Sequence, residues 1–413
     1  MSGIQRSERA LLVVLAAIQF TNIVDFMIMM PMGDILKKEL SIGPQQYGFL
    51  VSSYGIAAFV TAFAGVFYLD NLDRRKALLA AYFGFMIGTL SSAILPNTDS
   101  DSLNYTLFIL TRVITGLTGG LLGGLVMSII GDAIPLERRG RAMGIVTISF
   151  SLAAILGMPI ALTLVDVFDN NWHVPFYGVT LLAVPIWIMA WKQIPPMRDH
   201  LNNRQAYDRT AAIRLAFSSR EQRNALLFTV LLVLGQFTVI SFMTPYYINN
   251  VGLEQSDIKW IYLVGGAATV LSGFFIGRMV DKVGRFRVFT VAALLSLIPV
   301  LVITHLPHVS LWVVLLIAGF FFVLVSGRMI PANTIATTVV NPQQRAGFMS
   351  LNSAMMSLAS GSSGIISGAI ITQVNEHAPL MNFEWVGYLA AASTLLSLLI
   401  VRVLKRLAEQ KAP

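Results

Sequence analysis

The sequence contains no cysteine. That excludes a disulfide framework, a thiolate metal site and a cysteine nucleophile. Charge is scarce too. Asp, Glu, Lys and Arg make up 12% of the 413 residues, about half the share usual in a soluble domain. Histidine is limited to His173, His200, His305, His308 and His377. None makes a metal-ligand spacing with a carboxylate, so no metal site is expected. There is no G-x-x-x-x-G-K-[ST] loop, so neither direct ATP drive nor any cofactor is expected.

What is abundant is apolar. Hydrophobic residues account for 55% of the chain, and they recur in runs long enough to cross a bilayer, which takes about 20 residues. A large soluble α/β enzyme would not repeat such runs from end to end. Lipid leaves backbone polar groups no partner but one another, so these runs are read as helices. Twelve are expected, at about 10–33, 45–69, 76–95, 105–131, 142–166, 174–193, 223–248, 257–280, 287–305, 310–334, 345–373 and 383–404.

The basic residues alternate by side. Arg6 and Arg9, Arg74 to Lys76, Arg138 to Arg141, the segment Lys192 to Arg223, Arg278 to Arg287, Arg345, and Arg402 to Lys411 all fall on the side of the N-terminus. Only Lys37, Lys38 and Lys259 fall on the other side, and Arg112 and Arg328 lie inside spans. The positive-inside rule then puts both termini in the cytoplasm. The net charge of +8 is therefore a topology signal, and no nucleic-acid partner is expected. The first run is too long, and lacks the small-residue site, for a cleavable signal peptide.

One long polar connector, 194–222, divides the spans six and six, giving an expected bundle 1–193, a linker and a second bundle 223–413. The stretch 204–217 reads either as an interfacial helix or as plain linker. The two halves repeat motifs. Pro135 and Pro342 are each followed by Arg at the third residue (Arg138, Arg345) and Gly at the fifth (Gly140, Gly347). Gln19-Phe20-Thr21 is echoed by Gln236-Phe237-Thr238. Asp70 to Lys76 stands where the second half has Gly277, Asp281, Gly284 and Arg285 in a G-x-x-x-D-x-x-G-R pattern. Parallel six-span repeats characterise one large transporter class.

On these motifs the chain resembles the major facilitator superfamily over nearly its whole length. The first loop copy departs from the signature, with Val66 and Asp73 in place of its glycines. Arg112-Val113-Ile114-Thr115-Gly116 resembles the family's R-x-x-x-G motif. Gly157-Met158-Pro159 is a shortened likeness of the antiporter motif. The resemblance is to the twelve-span drug:proton antiporters or the neighbouring sugar-efflux permeases. It implies an all-α membrane protein of two pseudo-symmetric six-helix bundles, in a bacterial-type inner membrane, acting as a monomer. It also implies that Asp70 meets the span beginning near Arg345 and Gly347, while Asp281 meets the span near Arg138 and Gly140. With Arg74, Gly277, Gly284 and Arg285 these would form a cytoplasmic gate.

Asp25 is the one acid placed well inside a span, about 8 residues or roughly 12 Å from the outer end. A charge there is costly and normally faces a cavity or a partner. Arg112 sits at similar depth. Burial favours the neutral acid and a nearby guanidinium favours the carboxylate, so the pair could switch with conformation and couple protons. The alternative is a fixed structural ion pair. The second half has only Ser241 near the position of Asp25, and Arg328 reads as a gate residue or as a snorkelling helix-end charge. Gln19, Asn22, Gln236 and Asn333, with Phe26, Met27, Met30, Ser241, Phe242 and Tyr246, are candidates for a substrate cavity. That mix fits a lipophilic solute with a polar or cationic handle, and a sugar less well. A membrane enzyme would cluster more polar groups within spans, and a sensor or scaffold would carry an output domain. A proton-coupled exporter is therefore expected, with a permease or facilitator as its rival.

Overall fold

The computed structural model describes residues 6–96, 98–197, 214, 217–340, 345–375 and 378–410. Most of the connector, including the stretch 204–217 save Arg214 and Phe217, lies outside them. The described chain is helical apart from its connections and one isolated bridge, Thr372 with Met381. The helices are α1 (Arg6–Ile28), α2 (Gly33–Glu39), α3 (Pro44–Tyr68), α4 (Arg74–Ala93), α5 (Asp101–Ala133), α6 (Leu136–Leu152), α7 (Met158–Val167) and α8 (Val174–Gln193). There follow α9 (Arg220–Tyr246), α10 (Gln255–Val283), α11 (Arg285–Thr304), α12 (Leu311–Thr338), α13 (Arg345–Ile370) and α14 (Phe383–Gln410).

Among the described residues, eleven helices are long and apolar enough to cross a membrane, with α6 and α7 counted as one. The twelfth expected span, α13, has the length, at 26 residues, but carries a Ser- and Gly-rich run. Its surroundings explain that polarity. Ser360, Ser363 and Ser367 are buried against protein, so these hydroxyls never meet lipid. Ser363 donates to Ser360 O, and Ser367 to Thr238 O at 2.9 Å.

Two boundaries differ from the sequence expectation for identifiable reasons. The first span ends at Ile28, not near 33, because Pro31 cannot continue the helix. The chain turns over Met29 to Met32 and re-enters as α2, buried along most of its length. The fifth span is interrupted by a π-helical turn, Ala153–Gly157. Pro159 lacks the N–H that would bond residue 155, and the turn absorbs the mismatch. The displaced backbone meets α10 closely: a Cβ on Gly266 would lie 2.8 Å from Ala154 O.

The first six spanning helices pack chiefly on one another, as do the last six, and the strongest contact between the sets is α3 on α13. Glycines make it possible. A Cβ on Gly55 would sit 2.5 Å from the Gly361 Cα, and one on Gly364 would sit 2.7 Å from Gly48 O. Small residues let membrane helices approach to backbone contact. Gly116 and Gly120 likewise seat α5 against Tyr54 and Ala58 of α3.

The two ends of the bundle differ. Call the end carrying both termini the terminal end and the opposite one the far end. At the far end the two sets are sewn together. Tyr47 donates to Ser241 O at 3.1 Å and sets its ring edge-on to Phe242. Asn249 donates to Asp34 at 2.6 Å, Gln255 donates to Pro31 O, and Lys37 donates to Gln373. Lys259 of α10 pairs with Asp166 of α7 at 2.7 Å. Toward the terminal end, a Cβ on Gly144 of α6, or on Gly273 or Gly277 of α10, would meet nothing within 4 Å. Among the described residues, α10 meets the α6–α7 span chiefly at the π-helical turn and α7. The molecule is closed at the far end; toward the terminal end α3 still packs on the second set through Phe59 and Phe63, while α6 and α10 part at Gly144, Gly273 and Gly277.

Candidate functional site

Asp25 and Arg112 come together. Arg112 Nη2 lies 2.9 Å from Asp25 Oδ2 and also donates to the Asp25 carbonyl at 3.2 Å. Thr89 of α4 donates to the other carboxylate oxygen at 3.1 Å. Both charged side chains are wholly inaccessible. Arg112 Nε and Nη1 have no hydrogen-bond acceptor. The guanidinium instead lies 5.0 Å from the Tyr54 ring centre and 5.6 Å from that of Phe176. Aromatic faces attract a cation most when water is excluded. The α4 stripe that faces the pair, Tyr82, Phe85, Thr89 and Ser92, is fully buried, and Tyr82 bonds Thr21 at 2.9 Å.

Helix geometry sets the depth. Arg112 is eleven residues into α5, roughly 16 Å, whereas Asp25 lies only one turn from the end of α1. It is buried nonetheless, because α2 and the turn before it fold over the end of α1.

Beside the pair, Tyr54 donates to Asn22 Oδ1 at 2.7 Å, and Asn22 reaches Gly119 O at 3.5 Å. A Cβ at position 119 would strike Tyr54 Oη at 2.5 Å, so only glycine leaves this hydrogen bond intact. Phe26 contacts Tyr54 on one side and Phe237 of α9 on the other, at 5.3 and 5.8 Å between ring centres. Gln19 is half-buried, and its Oε1 is buried without a partner. Gln236 is also half-buried. These groups gather where α1, α3 and α5 face α9.

Other candidates lie elsewhere. Met30, Ser241, Phe242 and Tyr246 are buried in the closed far end, where Tyr246 donates to Leu306 O. Asn333 is exposed on α12. Arg74 pairs with Asp132 at 2.5 Å and Arg138 with Glu8 at 2.7 Å, partners within the first six spans. Asp281 is exposed and Arg285 half-exposed. The side chains of Asp70 and Arg345 lie outside the described residues, as do the surroundings of Gly140. Gly284 adopts φ +94° between α10 and α11, a region that strains any other residue.

Arg328 is not a snorkelling helix-end charge. Side chains lean toward the N-terminus of their helix, and the N-terminus of α12 is at the far end, so the guanidinium is carried deeper. It donates to Ser296 at 3.1 Å and Thr394 at 3.0 Å, is fully buried, and has no described carboxylate in ion-pair range. Sequence reasoning also missed Tyr54, Thr89 and Phe176 around Arg112. A hydroxyl at Thr89 facing the same stripe as Tyr82 was the available signal. The far-end seal was hidden because Lys37 and Lys259 had been read only as markers of side.

The sequence profile of the Major Facilitator Superfamily matches residues 15–254 and 225–413. The chain belongs to the Major Facilitator Superfamily. It is thus a multi-pass membrane transporter of that superfamily. A probable sugar efflux transporter of Helicobacter pylori is 24% identical over 363 residues, 86% of this chain and 87% of that protein. In fold, a D-xylose–proton symporter matches with a TM-score of 0.77 at 16% identity, over 94% of this chain and 97% of that one. A bacterial homologue of the human lysosomal transporter Spinster, inward-facing and unoccupied, matches at 0.68 and 15% identity, over 98% and 97%.

Proposed function

We propose that this superfamily member is a proton-coupled exporter working by alternating access, with Asp25 and Arg112 as the proton-responsive pair. The observation that carries the reading is the pair itself: a carboxylate deep in the bundle, fully buried and held by one guanidinium and one hydroxyl. In the state closed at the far end, Arg112 balances the ionised acid. A movement that opened the far end and drew Arg112 away would strand a carboxylate in apolar surroundings, at a cost relieved by taking a proton. Return to the present state would re-form the pair and release the proton. The solute then leaves as a proton enters. In this reading the terminal end faces the cytoplasm of a bacterial cell, as the basic residues imply. Residues 6–193 and 220–410 rock as two bodies in a single chain.

The solute is, in this reading, a neutral polyhydroxylated molecule of the sugar class. Asp25 is already engaged by Arg112, so it offers no counterion to a cation. Gln19, Asn22, Tyr54 and Gln236 supply neutral donors and acceptors beside the Phe26 and Phe237 rings. The name of the Helicobacter pylori relative points the same way. This departs from the sequence expectation of a lipophilic or cationic solute, which rested on an apolar wall of Phe26, Met27, Met30, Phe242 and Tyr246; Met30, Phe242 and Tyr246 are instead buried in the far-end seal.

The test is solute-linked proton release by the purified protein at fixed pH, wild type beside Asp25→Asn, over panels of sugars and of lipophilic cations. The reading expects release with sugars and none in the variant. Sugar binding without proton release in either protein would establish a facilitator. Release driven only by cations would overturn the solute assignment, and release that persists in the variant would acquit Asp25.

A further inference from the structure

A second cleft, remote from the ion pair, opens at the terminal end of the second six spans. It is about 440 Å³ in volume and lies where the end of α10, the start of α11, Thr334 of α12 and Lys405 of α14 converge. Three cations line it, Arg285, Arg287 and Lys405, against one acid, Asp281. Among the described residues no carboxylate lies in ion-pair range of Arg285 or Arg287. The Arg285 guanidinium lies 5.6 Å from the Phe286 ring centre, and Lys405 reaches Glu409 at 3.7 Å on the surface of its own helix. The remaining lining is Val280, Val283, Gly284 and Phe286. Val283 of the lining and Met279, one turn before it on α10, are each 47% exposed, apolar surface on a membrane-spanning helix.

We propose that this cleft binds the phosphate headgroup of an anionic phospholipid. Each feature selects for that ligand. Three cations converge on one small volume, two of them with no carboxylate in range among the described residues, and favour a group of concentrated negative charge. Arginine in particular matches the geometry of a phosphate. The apolar floor and the exposed apolar rim give the glycerol and first acyl carbons a place to lie, which a free phosphate would not use. Basic pockets between spanning helices at the membrane surface are the setting in which anionic headgroups bind. The proposal does not depend on the identity of the solute or on proton coupling.

The experiment is native mass spectrometry with thermal unfolding of the full chain, delipidated and titrated with phosphatidylglycerol, phosphatidylcholine or soluble glycerol 3-phosphate. One specific phosphatidylglycerol adduct and a raised melting temperature are expected, with little from phosphatidylcholine. Arg285→Gln, Arg287→Gln and Lys405→Gln combined should weaken that affinity roughly 100- to 200-fold, since each basic group at the membrane surface contributes about a fivefold factor. Arg402→Gln with Arg406→Gln, exposed on the same end of α14, should leave it. Equal adduct formation by the triple variant would overturn the site. Equal stabilisation by glycerol 3-phosphate would overturn the lipid assignment in favour of a soluble phosphate, and loss in the Arg402 and Arg406 variant would reduce the effect to general surface charge.

Discussion

Gly364→Ala should shift the molecule toward a state open at the far end. In the present state the added Cβ would lie 2.7 Å from Gly48 O and 2.7 Å from Ser52 Oγ. Real Cβ contacts are not closer than 3.0 Å, so α3 and α13 must separate by at least a few tenths of an ångström. One neighbour is backbone and cannot rotate away. The other, Ser52 Oγ, is held by the Ile365 N–H at 2.9 Å. Overpacking of this kind costs about 1–3 kcal/mol. If the cost falls only on the state in which these glycines touch, it moves the equilibrium by a factor of about 5–150. The chain has no cysteine, so spin labels can be placed at will, for example at the exposed Glu39 and Met381 on opposite sides of the far end. Electron–electron distance measurement should show a new, longer population in the variant. Gly178→Ala is the control: its Cβ would meet Leu164 Cδ1 of the same set at an ordinary 3.5 Å, and the helix should gain up to about 1 kcal/mol from alanine. A Gly364→Ala protein with unchanged distances and unchanged melting temperature would refute the claim that this contact is tight and state-dependent.

Two further predictions follow from buried charge and from histidine. Arg112→Met strands Asp25 and should lower thermal stability by about 3–5 kcal/mol, whereas Arg328→Met removes a cation with no acid partner among the described residues. Ser296 and Thr394 still donate to their own helix carbonyls, at 2.8 and 2.9 Å, so Arg328→Met should be neutral or stabilising; melting curves of the two side by side decide it. His173, at the far-end start of α8, is held below the ordinary imidazole value by burial, with the Ala93 and Ser92 carbonyls and Glu39 pulling the other way. The unfolded chain therefore binds the extra proton first, and stability present above about pH 6.5 declines as pH falls through it. Wild type should lose more melting temperature than His173→Asn between about pH 7.5 and pH 5.5, and parallel losses would dismiss His173 as the cause.

The helices and their approximate ends were legible in the sequence, because lipid leaves apolar runs of this length no other structure. So was the resemblance to the superfamily, through loop residues such as Gly277, Asp281, Gly284 and Arg285, whose spacing is local. Asp25 and Arg112 could be singled out one at a time, since a charge inside a span is conspicuous in a sequence. Their similar depth also suggested that they pair, but the support given by Thr89, Tyr54 and Phe176 could not be read, because those contacts join residues far apart in the chain and neutral side chains give no signal. The end of α1 was misjudged because hydropathy does not register that Pro31 turns the chain and that α2 folds back as part of a seal. Arg328 was misjudged because its depth depends on which way α12 runs and what α11 and α14 offer it. Which end is closed was never in the sequence. It follows from Gly48 against Gly364 and Lys259 against Asp166 touching while Gly144, Gly273 and Gly277 do not, and the same residues permit another arrangement. Composition and period are local properties of the chain, so sequence determined the spans; conformation and the buried ion pair are differences among long-range contacts, so only the tertiary structure decided them.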